Sequence, residues 1–398
     1  MAEQHPVRPP RRIAFVDQAQ ELGGAEQSLL ELVPQLDRRR YEPLIVHAAD
    51  ATWADDPALA GITHLPAFPA SPVLAAKRDE LKPGFLASWN YLLQSRQVVG
   101  ALRRMVVHEH VDLLHTNALK SHLLGGFAAT LARRPLVWHM RDILIEPAAT
   151  KWLLQSARTV KPYVIAISEA VASQFDPLRN HVRLRVIHNG IPLDKFHPGP
   201  PSPELQAELG LTPDDEVVIV VGRLTPWKGH TTLLEAMRLV REQRPRVRLL
   251  VLGTTTFWEE NYLQKLQDKA HAEGVADIVH WLGFRRDVAD MLRLCHVFVL
   301  PSINEPFGRA IVEAMASGKP VVGTRSGGVP EVLRDGKCGL LIEPGNAAEL
   351  AAAITRLLAE KSLAREMGDN GFRRANRYFD IRRVAREVEE VYVEILGR

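Results

Sequence analysis

The chain has 398 residues, 46% of them apolar, and a formal charge of +3 from 50 basic and 47 acidic side chains. That length holds two or three ordinary domains with real cores, and so small a charge excludes nucleic-acid binding driven by electrostatics alone. Residues 1–200 carry +4 and the remainder −1, while Cys295 and Cys338 give neither a metal spacing nor a disulfide framework and read as buried thiols in a reducing compartment.

Residues 1–12 are polar, rich in Pro and Arg, and lack the apolar core of a signal peptide, which predicts a disordered tail. No apolar run reaches membrane-spanning length. The expected location is cytoplasmic, with peripheral attachment at the inner face of the membrane as a variant. Ile13 to Val16 begins a strand. Gly23-Gly24 then opens a helix through Leu36 and offers backbone that tolerates an anion. Leu44 to Val46, Val111 to Leu114, Leu136 to Trp138 and Val164 to Ile167 are short apolar runs that predict buried strands. A long helix is expected over Phe85 to Glu109, with Leu86, Trp89, Leu93, Val99 and Leu102 near one stripe.

Residues 196–215 hold Pro198, Pro200, Pro201, Pro203 and Pro213 and few strand formers, the composition of a linker. A second alternating set follows: Val217 to Val221, Arg248 to Leu252, Ile278 to Trp281, Val297 to Leu300, Pro320 to Val322 and Leu340 to Ile342. The expected architecture is therefore α/β, with Rossmann-like domains over 13–195 and 216–378 whose parallel sheets face across a cleft. A one-faced helix over 379–398, apolar at Val384, Val388, Val391, Tyr392 and Ile395, would pack back on the first domain. In open α/β sheets ligands bind at the carboxyl ends of strands, so the loops that follow strands carry the functional question.

Three loops of the second set stand out. Gly222-Arg223-Leu224-Thr225-Pro226-Trp227-Lys228-Gly229 follows a strand, and Arg223 and Lys228 can meet a diphosphate with a planar fork and a compact charge. It is neither a Walker loop nor a dinucleotide Gly-x-Gly-x-x-Gly. The run Glu305-Pro306-Phe307-Gly308-Arg309-Ala310-Ile311-Val312-Glu313 places a carboxylate on each side of a helix start. A helix start favours phosphate, and an ionised carboxylate accepts from neighbouring hydroxyls, so this order suits a sugar at each end of a diphosphate. Gly327-Gly328-Val329-Pro330-Glu331 exposes successive N–H groups that can form an anion nest. In the first set His139, within Trp138-His139-Met140-Arg141-Asp142 at a strand end, can bond a sugar hydroxyl. His108, His110 and His115 show no supported metal spacing and read as surface or core residues. No Asp-x-Asp occurs, the pattern that supplies clustered carboxylates to a metal-bridged diphosphate. Arg223, Lys228 and backbone N–H groups can neutralise a leaving diphosphate instead, so neither a metal nor another cofactor is expected.

These residues resemble glycosyltransferase family 4, whose fold is GT-B. The resemblance runs from Gly23-Gly24-Ala25-Glu26 through Ile187-His188-Asn189-Gly190-Ile191 with Phe196 and Pro198. It continues in Gly222-Arg223-Leu224, Lys228-Gly229, the Glu305–Glu313 motif, Gly327-Gly328-Val329-Pro330-Glu331 and the closing helix. It implies a retaining transferase that moves a sugar from a nucleotide-sugar to a hydroxyl of a glycan, lipid-linked or small-molecule acceptor. Under it Arg223 and Lys228 hold the donor diphosphate, Glu305 the sugar hydroxyls and Glu313 the ribose diol. Backbone of Phe307, Gly308, Arg309 and Ala310 meets sugar or phosphate, and Gly23-Gly24 approaches the diphosphate. His139 lies near the sugar and Phe284 near the base. The same residues leave open an epimerase or hydrolase of nucleotide-sugars and a catalytically idle nucleotide-sugar-binding partner. Loops of the first domain, here Ala70 to Phe85 and the long helix after it, would set the acceptor; Leu86, Trp89 and Arg103-Arg104 fit either contact with a lipid-linked acceptor at a membrane surface or an ordinary core-packing helix with an exposed basic end.

Overall fold

A computed structural model describes residues 9–68, 89–255, 261–334 and 336–397. Ala70 to Phe85, Leu86 and the side chain of Trp89 lie outside the described residues. The chain divides into two compact units, Met1–Gly190 with Ile381–Arg398, and Ile191–Asp380.

The first unit carries seven strands: β1 Arg11–Val16, β2 Tyr41–Ala48, β3 Thr63–Phe68, β4 Leu113–Thr116, β5 Leu136–Met140, β6 Tyr163–Ala166 and β7 Arg183–Val186. They lie in the order β3-β2-β1-β4-β5-β6-β7, and every pairing is parallel. The inner strands are apolar on both faces, as a parallel sheet covered by helices requires. The apolar-run criterion misses β3 and β7 for a physical reason. Both are edge strands, where one side of the strand is unpaired, and Pro66 and the alternating arginines of β7 break the apolar run. The first strand also starts two residues inside the segment expected to be tail: Arg12 is fixed by Glu42 at 2.9 Å and donates to the Glu109 carbonyl. The long helix spans Trp89–His108 and buries Val98, Leu102 and Val106, one turn apart, whereas Leu93 is 42% exposed.

The second unit has six strands: β8 Glu216–Val221, β9 Val247–Leu252, β10 Val279–Gly283, β11 Val297–Leu300, β12 Val321–Thr324 and β13 Leu340–Ile342. Their order is β10-β9-β8-β11-β12-β13, again all parallel. Residues 196–215, read above as a linker, belong to this unit and hold a short helix, Pro203–Glu208. Its first turn is capped by Ser202 Oγ, which accepts from the Leu205 N–H, and started by Pro203, whose missing N–H costs nothing there.

The helix Ile381–Leu396 groups with the first unit. Ile381, Val384, Ala385, Val388, Val391 and Tyr392 share its buried face. Polar anchors flank that face: the Asp37 N–H donates to Glu389 Oε1 at 2.7 Å, and Tyr163 Oη donates to Glu394 Oε2 at 2.8 Å. Among the described residues no helix is long and apolar enough to cross a membrane.

Buried histidines give the fold a pH dependence. In the first unit His122 stacks on Trp138, and burial, reinforced by the Arg141 charge, holds it down to about 3. In the second, burial and then the Lys228 charge hold His230 down to about 4. A histidine held below its ordinary 6.5 binds its proton more readily when the chain unfolds. Stability from these two groups is therefore whole above that value and declines as the pH falls through it toward 4. Urea midpoints measured across this window should fall with pH, and a flat profile would contradict the assignment.

Candidate functional site

Both sheets reverse their strand order once, between β1 and β4 and between β8 and β11. Loops leaving neighbouring strands at such a point diverge and open a place for a ligand. In the second unit the loops after β8, β11 and β12 are tied to one another by hydrogen bonds, each with a backbone group on at least one side. The Ile303 N–H donates to the Trp227 carbonyl at 2.7 Å. On the other side Thr324 Oγ1 donates to the Ser302 carbonyl at 2.6 Å, and the Asn304 N–H to Ser326 Oγ at 2.9 Å. The Gly328 N–H completes the set, reaching the Glu305 carbonyl at 2.8 Å. The middle loop is thus held from both flanks.

That clamp fixes Glu305. Its Oε2 accepts from Lys228 Nζ at 2.6 Å, and the two side chains are only 10% and 13% exposed. The Lys228 ammonium also stands 4.3 Å from the centre of the Trp227 ring, a favourable cation–π position. Gly327 makes the arrangement possible. It has φ +59°, and a Cβ there would lie 2.1 Å from the Glu305 carbonyl oxygen. The nest expected at Gly327-Gly328 is therefore corrected: the Gly328 N–H is engaged by Glu305, so this loop positions the acid rather than presenting that N–H to an anion.

Downstream, Gly308 takes the left-handed conformation and starts the eight-residue helix Arg309–Ala316 with no side-chain cap. Arg309 Nε donates to Glu313 Oε1 at 2.9 Å one turn along, and both side chains are largely buried. Ala310 lies in the same first turn. Phe307 turns its ring into the core against Phe379, centroids 5.7 Å apart, which leaves its backbone in the turn. Arg223 is exposed directly after β8, with no ion pair to a described residue. Phe284 is 59% exposed after β10, the far edge strand, and is not drawn to Lys228 and Glu305.

The first unit holds Gly23, Gly24 and His139. Gly23 caps the helix Gly24–Leu32, but its N–H donates to Glu26 Oε2 at 2.8 Å, so the expected anion site already has a carboxylate on that N–H. A Cβ at Gly24 would meet nothing within 4 Å, so space rather than side chain lies there. His139 is buried near the end of β5, and burial, with the Arg141 charge next, lowers its pKa well below the ordinary value.

Around it stands a polar network that the sequence reading did not assemble. Asn117 Nδ2 donates to Asp17 Oδ2 at 2.7 Å, and Arg141 donates to Asn117 Oδ1 and, at 2.6 Å, to Asn189 Oδ1. Burial pushes the Asp17 carboxyl up, opposed by the bonds from Asn117 and the Ala19 N–H. His115 Nε2 lies 3.1 Å from His139 Nδ1, and its Nδ1 lies 2.7 Å from Tyr392 Oη. A signal for much of this existed: Asp17, Asn117 and Arg141 each follow immediately on the last residue of an apolar strand.

Two family models cover most of the chain: "Glycosyltransferase Family 4" matches residues 22–195 and "Glycosyl transferases group 1" residues 201–374. A D-inositol 3-phosphate glycosyltransferase of Streptomyces bingchenggensis is 29% identical over 311 residues, 72% of this chain and 67% of that protein. An alpha-maltose-1-phosphate synthase of Mycolicibacterium smegmatis is 28% identical over 94% of this chain and 96% of its own length. Among solved structures, Anabaena Alr3699/HepE in complex with UDP-glucose superposes with a TM-score of 0.81 at 28% identity, covering 96% of this chain and 99% of that one. With the two doubly wound sheets, these matches establish that the chain is a glycosyltransferase of family 4 with the GT-B fold.

Proposed function

We propose that this glycosyltransferase moves a hexose from a UDP-sugar to an acceptor hydroxyl, with retention of anomeric configuration and without a metal. The observation that carries the reading is the Lys228–Glu305 pair, clamped by two neighbouring loops in front of an uncapped helix start. The donor fits this order. Its diphosphate lies against Arg223, Lys228 and the backbone at Gly308, its sugar hydroxyls donate to Glu305, and its ribose diol donates to Glu313. UDP-glucose is the donor to try first, because HepE, 28% identical over nearly its whole length, was solved with it.

In the reaction the bond from the anomeric carbon to the diphosphate breaks while the acceptor oxygen bonds to that carbon on the same face. The acceptor proton passes to the departing phosphate oxygen. Positive charge gathers on the ring and negative charge on the leaving group. Arg223, Lys228 and the helix dipole stabilise the latter as it grows, which is where fixed charges contribute most. Glu305 already accepts from an ammonium, which suits it to hold hydroxyls rather than to attack carbon. In this reading Arg223, Lys228 and the helix start are the groups that take the leaving charge.

Two measurements test this. UDP-glucose at 100 times its Kd should stabilise the chain by about 2.7 kcal/mol, read as a rise in Tm in the presence of EDTA; no rise with any nucleotide-sugar would refute donor binding. Lys228→Ala should lower transfer by about 10²-fold or more while circular dichroism remains that of a folded chain. Near-normal transfer by that variant would remove Lys228 from the mechanism.

A further inference from the structure

We infer that Tyr392, on the C-terminal helix, is a positioning residue that sets the tautomer of His139 through His115, so that His139 presents its Nε2–H as a neutral hydrogen-bond donor to the substrate. The inference rests on the transfer reading for its purpose but not for its geometry, which lies wholly within the first unit.

Three contacts form a line. Tyr392 Oη is 2.7 Å from His115 Nδ1, and His115 Nε2 is 3.1 Å from His139 Nδ1. Arg141 Nη2 is 3.4 Å from that same His139 Nδ1. All the side chains are buried. A neutral imidazole has one N–H and one lone pair, so a line of rings has only two self-consistent states. In one, the phenol donates to His115 Nδ1, His115 Nε2–H donates to His139 Nδ1, and His139 carries its hydrogen on Nε2. In the other, every hydrogen is reversed.

Two observations select the first. A guanidinium has donors and no lone pair, so Arg141 favours a lone pair on His139 Nδ1 and opposes an N–H there. In the reversed state the Tyr392 hydrogen would also need another acceptor, and its one hydrogen bond among the described residues is to His115. A buried donor without an acceptor is costly. The selected state leaves one group at the end of the line: His139 Nε2, buried and without a hydrogen-bond partner among the described residues. A buried donor of this kind is satisfied by a water or by a ligand atom, and its place at the end of this line suits it to the latter.

The role explains features otherwise unconnected. Tyr392 is fully buried on a helix face whose other buried residues, Glu389 apart, are aliphatic, and its ring packs edge-on to Tyr41 at 5.3 Å. Its hydroxyl has no other hydrogen bond among the described residues. Tyr392→Phe therefore keeps the packing and removes the hydroxyl, which is the donor to His115 Nδ1 in the selected state and its acceptor in the reversed one. Without it His115 Nδ1 has no hydroxyl partner in either state and Arg141 alone selects between them, so the reversed state, in which His139 donates from its own Nδ1 and its outward nitrogen is an acceptor, becomes populated beside the first.

The test uses the full chain with ¹⁵N-labelled histidine. Long-range ¹H–¹⁵N correlations distinguish the two tautomers, and His139→Gln identifies the signal among the 15 histidines. The wild type should show His139 protonated at Nε2, and Tyr392→Phe should populate the Nδ1 form. With UDP-glucose as donor, kcat of Tyr392→Phe should fall about tenfold, the worth of one hydrogen bond to substrate, with KM for the donor little changed. Because Gln brings its own amide donor, adding Tyr392→Phe to His139→Gln should cost nothing further. His139 protonated at Nδ1 in the wild type, an unchanged tautomer in Tyr392→Phe, or an equal loss on the His139→Gln background would each overturn the inference. The spectra need no turnover, so a chain that transferred no sugar yet showed this line intact would sink the transfer reading and leave the tautomer assignment standing.

Discussion

A single ion pair, Lys228 Nζ to Glu305 Oε2 at 2.6 Å, concentrates the demands made on the second unit. The partners lie 77 residues apart in sequence, and they meet because β8 and β11 are neighbours in the sheet. A simple sequential sheet would have put β9 between them. The pair also needs the loop after β11 to stay at one height, and hydrogen bonds from the loops on both sides ensure that. Removing one partner from a well-buried pair leaves an uncompensated charge and costs roughly 3–5 kcal/mol. These side chains keep 10–13% exposure, so water recovers part of that. The pair's value is accordingly more in aim than in stability. The ammonium holds one carboxylate oxygen, and the other is left pointing along a fixed direction.

The same topology serves the first unit with different chemistry. Its sheet also runs outward in both directions from a central pair, β1 and β4, and the polar residues Asp17, Asn117 and Arg141 stand one step beyond the strands. In the second unit the strand-end loops bring cations and acids together as exposed or part-buried ions. In the first the groups are buried and linked by amides and imidazoles, with Asp17 pushed toward its neutral form and the histidines held neutral. A parallel sheet fixes where functional groups stand; the residue types decide whether that place is charged.

Much of this was legible in the sequence. All six strands of the second sheet and five of the first appear as apolar runs, since strands buried on both faces have no polar alternation to confuse them. The edge strands β3 and β7 escaped, because Pro66 and the arginines of β7 are features of edges. The loops holding Arg223, Lys228, Glu305 and Glu313 were found because each follows a strand. The pairing Lys228–Glu305 was not, since no local pattern says which strands adjoin. Gly327-Gly328 shows the limit in another way. Paired glycines signal close approach of backbone, but whether an anion or a neighbouring carbonyl approaches is a tertiary fact, and here it is the Glu305 carbonyl. His115, read as an ordinary surface or core residue, is buried, and its significance comes from a tyrosine 277 positions away.

Arg141 shows why such a network takes one particular side chain at its centre. Asp17 and Arg141 are both buried, yet they do not pair directly: Asn117 stands between them, its amide nitrogen on Asp17 and its oxygen on Arg141. This fixes the amide's orientation, since reversing it would set carbonyl against carboxylate and amine against guanidinium. It also spaces the charges, so the fork of Arg141 remains directed at Asn189 and toward His139. A lysine there would supply the charge but not the plane, and its compact ammonium could not face three acceptors at the spacing found. The amide and the acid hold the guanidinium in place, and its fixed positive charge, after burial itself, keeps the His139 ring neutral.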